Sequence, residues 1–286
     1  MQKNKKSLAG FKSAAKILFK AGVGRLKVKR GNVEQDIQRY EYRVISQHRE
    51  DGIIDHLLDT IGVLDGTFVE FGFAITECNC MNLVLNRDFR GLFIDGSERV
   101  CSDAEAALRY LNKPKVNVVN AFLSTENINK IITDNGPTGE IDVLSVDIDG
   151  NDYWLWLAID AVNPRIVVAE YNASFGDQRA ITIPYDPEFV RYDRHSSGFY
   201  HGASLAALQR LGVQKGYQLV GCDFTGVNAF FVRNDLMTPD IKPISVADAF
   251  MENRGRVKYK KISTQDQFKK IADQPFVEIA DQSSAL

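Results

Sequence analysis

The sequence predicts an α/β fold: a mostly parallel sheet of seven strands, closed by an antiparallel C-terminal hairpin and covered by helices on both faces. Three observations lead there. Short, near-continuous apolar runs recur through residues 40–235, stretches of helix length separate most of them, and the last two runs are joined only by residues 223–227. Apolar runs without polar alternation mark strands covered on both sides, the condition of a parallel sheet. The final link is too short for a parallel crossover, so the last pair is a hairpin.

The elements follow in order. Residues 8–21 repeat at helical spacing, with Leu8, Phe11, Ala14, Ala15, Leu18 and Phe19 on one arc and Lys12, Lys16 and Lys20 on its neighbour. Gly22 and Gly24 end this basic amphipathic helix, and Arg25 to Arg30 read as a short strand-like or loop segment. After the polar stretch Ser46-Gln47-His48-Arg49-Glu50-Asp51-Gly52, a helix over 52–61 places Ile53, Ile54, Leu57, Leu58 and Ile61 on one face. Strands are predicted at 67–71, 91–94, 116–119, 141–146, 165–169, 218–222 and 228–232, and helices at 78–87, 98–111, 124–133, 153–161 and 203–215. Five parallel strands and a hairpin differ from a plain dinucleotide-binding fold. The arrangement resembles the Rossmann-like seven-stranded sheet of S-adenosylmethionine-dependent methyltransferases. Three parts result: a basic extension over 1–39, the sheet domain over 40–235, and a more polar arm over 236–286 with a second basic patch from Arg254 to Lys261.

Composition excludes several classes. With 286 residues, 44% of them hydrophobic, the chain is long and apolar enough to bury a large core, and four cysteines in this length do not make a disulfide scaffold. The Cys78-Asn79-Cys80 spacing is wrong for zinc. No run reaches the ~20 apolar residues that span a bilayer. The expected location is the cytoplasm, with peripheral contact at the inner membrane surface as an option. The formal charge of −2 hides an asymmetry: residues 1–30 carry ten of the 35 basic residues and no acid, the first carboxylate being Glu34, so the rest has a charge of −12. A basic amphipathic helix can pack on the body, join a second copy in a homo-oligomer, or lie on an anionic membrane. No nucleic acid is expected as a partner.

In open α/β sheets ligands bind beyond the carboxyl ends of the strands. Glu70 and Gly72 end the first strand, and the polar residues Thr76, Glu77 and Asn79 that follow could supply donors from a turn. A Gly-rich phosphate loop is absent, which disfavours pyrophosphate cofactors. Asp95-Gly96-Ser97 ends the second strand, where a carboxylate can accept both hydroxyls of a ribose or cap the next helix. Asn120 and Ala121 follow the third, where an adenine amino group is usually met, although an Asn at a strand end is a turn residue just as often. The fourth strand is followed by Asp147, Asp149 and Asp152, and the fifth ends with Glu170, Tyr171 and Asn172. Crowded carboxylates repel one another unless a cation or protons compensate them. Asp149, Glu170 and Asn172 could therefore hold Mg²⁺ or another hard divalent cation, or serve turns and substrate hydrogen bonds. The aromatic segment 184–195 reads as a lid or substrate wall, and His195, with His201 nearby, could take a proton from a hydroxyl.

Five segments carry a resemblance. Ser46 to Ile54, Phe68-Val69-Glu70-Phe71-Gly72, Gly91 to Ser97, Asp147 to Trp154 and Gly202-Ala203-Ser204-Leu205 resemble a bacterial branch of the FkbM-type methyltransferases over residues 40–235. The resemblance implies S-adenosylmethionine as cofactor, with Glu70 and Gly72 beside its methionine moiety, Asp95 at the ribose, Asn120 at the adenine, and Asp147 at the amino group or sulfonium. It also implies a hydroxyl acceptor on a sugar of a surface glycan, a lipid-linked saccharide or a natural product; by the reading of the residues themselves, His195 or a carboxylate at the strand ends, Asp149 or Glu170, takes its proton. The first motif departs from the family pattern, since Phe73-Ala74-Ile75 follows Gly72. That departure motivates a rival reading, a non-catalytic module that keeps the fold to dock on a membrane or a partner. The basic head has no place in these motifs, so removing residues 1–30 is expected to leave cofactor binding intact.

Overall fold

The computed structural model of the chain describes residues 2–25 and 36–281, and the segment expected after Arg25 lies outside them. Among the described residues nine strands form: β1 (Thr67–Phe71), β2 (Arg90–Asp95), β3 (Val116–Asn120), β4 (Gly139–Val146), β5 (Val162–Glu170), β6 (Ile181–Thr182), β7 (Tyr217–Cys222), β8 (Asn228–Arg233) and β9 (Val277–Glu278). Seven of them make one sheet in the order β3-β2-β1-β4-β5-β8-β7, and β6 pairs with β9. β2 runs parallel to both β1 and β3, while β8 lies antiparallel to both β5 and β7. This is the expected mostly parallel sheet with an inserted hairpin strand. The order reverses between β1 and β4, which is where such sheets place their ligands.

The helices are α1 (Gln2–Arg25), α2 (Glu50–Ile61), α3 (Met81–Asn86), α4 (Glu98–Tyr110), α5 (Ile128–Asn135), α6 (Asp152–Ala158), α7 (Arg191–Arg194), α8 (Leu205–Gln214), α9 (Val246–Ala249) and α10 (Thr264–Lys269). Ser97 and Ser204 start α4 and α8 by accepting the N–H of Val100 and Ala207 on their hydroxyls. The chain divides into two compact units: one holds α1, 40–145 and 159–165, the other 36–39, 146–158 and residues from 166 onward.

In the first unit α1 packs on α4; of the arc its sequence suggests, Ala14 faces inward, and the Leu8 side chain lies outside the described residues. Its buried residues are Gly10, Ser13, Ala14 and Ile17, while Phe11, Leu18 and Phe19 stay exposed. Small residues win because the two helices come very close: a Cβ on Gly10 would lie 2.7 Å from the Ala106 carbonyl oxygen. The stretch before α2 is a structural clamp. Asp51 accepts the N–H groups of Val44, Ile45 and Ser46 at 2.7, 2.8 and 2.9 Å, and the Ser46 hydroxyl at 2.8 Å. Gly52 has no room for a side chain, since a Cβ there would meet the Tyr40 carbonyl at 2.0 Å. Asp142 does the same service for the turn into β1, accepting from the backbone of Leu64, Asp65 and Thr67.

In the second unit Trp156 packs against Phe231 and Tyr217, as an apolar anchor of α6. A separate core forms from Phe175, Ile181, Ile183, Phe189, Phe199, Tyr200 and Ile271. The segment 184–195 contributes Phe189 to it, so this stretch is packed down at its middle.

Candidate functional site

The first unit gathers its candidate residues at the ends of β1, β2 and β3. Gly72 has φ +72°, in the left-handed region that favours glycine, and donates its N–H to the Ile94 carbonyl at 3.1 Å. Asp95 is partly buried, and burial raises its carboxyl above the ordinary range against the pull of the Ser97 and Phe73 N–H groups. A Cβ on Gly96 would stand 3.3 Å from the Phe122 ring, and that ring is 57% exposed. A carboxylate, a bare glycine and an open aromatic face suit a nucleoside: the carboxylate can take the ribose hydroxyls and the ring can stack a base.

Several expected contacts fall elsewhere. Glu70 is buried and its two oxygens accept the N–H groups of Asn79 and Cys80, each at 2.7 Å, so it holds the glycine loop shut rather than facing a ligand. Burial still pushes its carboxyl up to about 7. Asn79 donates to the Ser145 hydroxyl at 3.1 Å. Thr76 and Glu77 meet α1: Lys20 donates to the Thr76 carbonyl and pairs with the Glu77 carboxylate at 3.2 Å. The basic head therefore touches the glycine loop, contrary to its expected separateness. Asn120 and Ala121 both donate to the Asp95 carbonyl, at 2.9 and 3.0 Å, and brace the turn. Ser97 caps α4.

The second unit brings the acids after β4 and β5 together. Asp152 is buried and structural: its oxygens accept the Ile148 and Gly150 N–H groups at 2.7 and 2.9 Å, which holds the loop where Asp149 sits at φ +57°. Such a conformation costs of order 1 kcal/mol in a residue other than glycine. The turn aims Asp149 at Arg191, with which it pairs. Burial, reinforced by the charges of Asp149 and Asp152, pushes Glu170 up to about 8, although Arg191 and Arg256 pull it back. Burial and the neighbouring carboxylates also push Asp147 well up.

His201, not His195, joins this cluster. Its ring is 1% exposed, with Nδ1 3.7 Å from a Glu170 oxygen and without a hydrogen-bond partner. Arg256 donates to its Nε2 at 3.2 Å. A guanidinium has only protons to offer, so Nε2 must be the acceptor and Nδ1 carries the hydrogen, directed to Glu170. Burial and the two arginines hold the ring neutral by lowering its pKa well below the ordinary value. His195 instead contacts the Ser197 hydroxyl at 2.7 Å.

Asn172 leaves the expected cation set. Its Nδ2 donates to the carbonyls of Phe199 and His201 at 2.6 and 2.8 Å, and its Oδ1 accepts from Ser174 and Arg256 at 3.0 and 3.1 Å. Ligand atoms of Asp149, Glu170 and His201 do lie within 4.8 Å of one another, as do those of Asp147, Asp152 and Glu170. The donor set does not fit a hard divalent cation, however. Two guanidinium groups already balance the acids, and the imidazole nitrogen nearest them carries a proton.

No family model matches the chain. Among curated proteins, a 74-residue stretch is 28% identical to the serine/threonine-protein kinase spk-1 of Caenorhabditis briggsae; it spans 25% of this chain and 6% of that protein. Among solved structures, the N-terminal domain of EvdMO1 with SAH bound aligns with 65% of this chain and 80% of that one, at 12% identity and a TM-score of 0.42. The O-methyltransferase from Bacillus cereus in complex with SAH aligns with 77% of this chain and 89% of that one, at 12% identity and a TM-score of 0.42. The methyltransferase domain of bacterial CtHen1-C covers 65% and 97%, at 12% and 0.41. Scores this low carry no weight for the chemistry, which rests on the residues themselves.

Arg256 was invisible as a site residue. It lies in the arm read as a surface patch, yet it is 9% exposed and donates to Asn172, Ser174 and His201. Burial lowers its pKa to about 10.

Proposed function

We propose that the chain is an S-adenosylmethionine-dependent O-methyltransferase of FkbM type, acting on a hydroxyl of a sugar in a surface glycan, a lipid-linked saccharide or a natural product. The observation that carries the cofactor reading is the group at the end of β2: a partly buried Asp95, the open Gly96 and the exposed Phe122 ring. The motif resemblance supports the same reading.

When bound, the cofactor supplies a methyl group on a positively charged sulfur. Asp95 would accept the ribose hydroxyls, Phe122 would stack on the adenine, and Gly72 would let the backbone approach. Within the second unit, Glu170 would take a proton from an acceptor hydroxyl. A carboxyl held near 8 is matched to that work at neutral pH. His201 Nδ1–H steadies the ionised form of Glu170, and Arg256 fixes the tautomer that permits it. Arg191, held by Asp149 and by the Gly198 carbonyl at 2.8 Å, gives the acceptor a cationic wall. No step requires a metal.

Calorimetric titration with S-adenosylhomocysteine tests the cofactor. Binding to the wild-type chain that weakens in Asp95→Ala is expected; no binding to well-folded wild type would refute it. The rival is the non-catalytic docking module, favoured by Phe73-Ala74-Ile75 after Gly72. Cofactor binding without transfer of radioactive methyl groups to glycan or lipid-linked saccharide extracts would select that rival. Undiminished turnover in EDTA is expected, and loss restored by Mg²⁺ would return a cation to the site.

A further inference from the structure

The face of α1 that is turned to solvent is built unlike an ordinary surface. Phe11, Leu18 and Phe19 are 49%, 51% and 74% exposed, and Ala15, Lys12 and Lys16 are exposed with them. At helical spacing these six form one continuous arc, apolar along one side and basic along the other. Tyr110, 54% exposed on α4, extends the apolar side, its ring 5.5 Å from that of Phe11. The helix is already anchored to the body by its opposite face of Gly10, Ser13, Ala14 and Ile17. Its large apolar side chains are thus not waiting for the core of this chain.

We propose that this face is a docking surface for an anionic lipid bilayer, with Phe11, Leu18, Phe19 and Tyr110 entering the acyl boundary and Lys12 and Lys16 at the headgroups. Charge decides the occupant. The segment 1–30 has ten basic residues and no acid, so it is attracted to a dense sheet of negative charge. A second copy laid on the same face would set Lys12 and Lys16 against their own counterparts across a two-fold axis, and like charges there repel. Aliphatic Leu18 and Ala15 beside the phenylalanines give a phosphate backbone nothing to hold, whereas a bilayer takes both the apolar and the basic side of the arc. The inference is independent of the methyl-transfer reading, because none of these residues belongs to either candidate site.

The full chain should co-sediment with vesicles containing phosphatidylglycerol and stay in solution with vesicles of phosphatidylcholine alone. Leu18→Ser with Phe19→Ser should weaken partitioning by at least tenfold, and Lys12→Glu with Lys16→Glu by a similar factor, since each lysine near an anionic surface contributes roughly fivefold. These side chains are exposed, so thermal unfolding and S-adenosylhomocysteine titration should be unchanged and serve as controls for folding. Absence of co-sedimentation with the anionic vesicles, or equal partitioning by the variants, would overturn the proposal. So would a dimer in sedimentation velocity that Leu18→Ser with Phe19→Ser dissociates, because the face would then be covered by a second copy.

Discussion

Asp51, Glu70 and Asp142 in the first unit face backbone N–H groups, whereas Asp147 and Glu170 in the second face other carboxylates, two guanidinium groups and an imidazole. The first set is buried and held by the chain's own amides, whereas the second is partly buried and surrounded by charged and titratable side chains. Asp152 shows that the unit itself is not the cause, since it lies beside Glu170 in space and still accepts two amides. A buried carboxylate bonded to backbone donors fixes a loop. One crowded by other side chains is left with chemistry to perform.

Four measurements probe this division, and the largest effect is expected at Glu170. Glu170→Gln should reduce methyl transfer in single turnover by 10²–10⁴-fold, the usual worth of a general base. S-adenosylhomocysteine affinity should be unaffected; equal transfer by the variant would move the base elsewhere. Next comes Asp51→Ala, which orphans three buried amides and should cost about 3 kcal/mol or more in urea unfolding. A variant that unfolds at the wild-type urea concentration would show that the clamp is dispensable. Asp95→Ala should weaken S-adenosylhomocysteine binding by roughly 10–100-fold, the loss of hydrogen bonds to a charged acceptor. Smallest is the exposed Lys130–Asp134 pair at 2.6 Å, whose removal should change stability by only a few tenths of a kcal/mol, about the worth of an i,i+4 surface pair.

Glu170 also gives a pH test with a definite sign. Its folded pKa of about 8 stands above its ordinary value of 4.5, so the folded chain holds the proton more tightly than the unfolded one. Its contribution to stability is complete below the ordinary value and is lost as pH rises through about 8. Activity runs the other way, because a base must be ionised, and should rise across the same range. Glu170→Gln should flatten the pH dependence of the melting temperature between those values; an unchanged slope would place the titration on another group.

The strands were legible because burial on both faces leaves continuous apolar runs, and the hairpin because five residues cannot cross over. Glu70, Asp95 and Glu170 were legible as positions but not as roles. Whether a carboxylate meets amides or other acids depends on a loop's path, and nothing in Phe71-Gly72-Phe73 announces that Glu70 will be taken up by Asn79 and Cys80. Arg256 was hidden by distance: it lies 84 residues after Asn172, and a basic run at that remove reads as solvated surface. The arc of α1 was legible, but not the direction in which it would face. Periodicity identifies an apolar arc, but close approach of two helices rewards small residues, so Gly10 and Ala14 went inward and Phe19 outward.

Lys20 ties two behaviours into one. Its ammonium reaches the Thr76 carbonyl and the Glu77 carboxylate from α1, across to the loop that follows Gly72. Lifting the helix from α4 therefore removes one of that loop's tethers while Glu70 keeps the other, and amide exchange at residues 76 and 77 should quicken together with exchange along the helix. A chain trimmed of its first 25 residues would lose more than an address label: it would carry the loop in a looser, faster-breathing state.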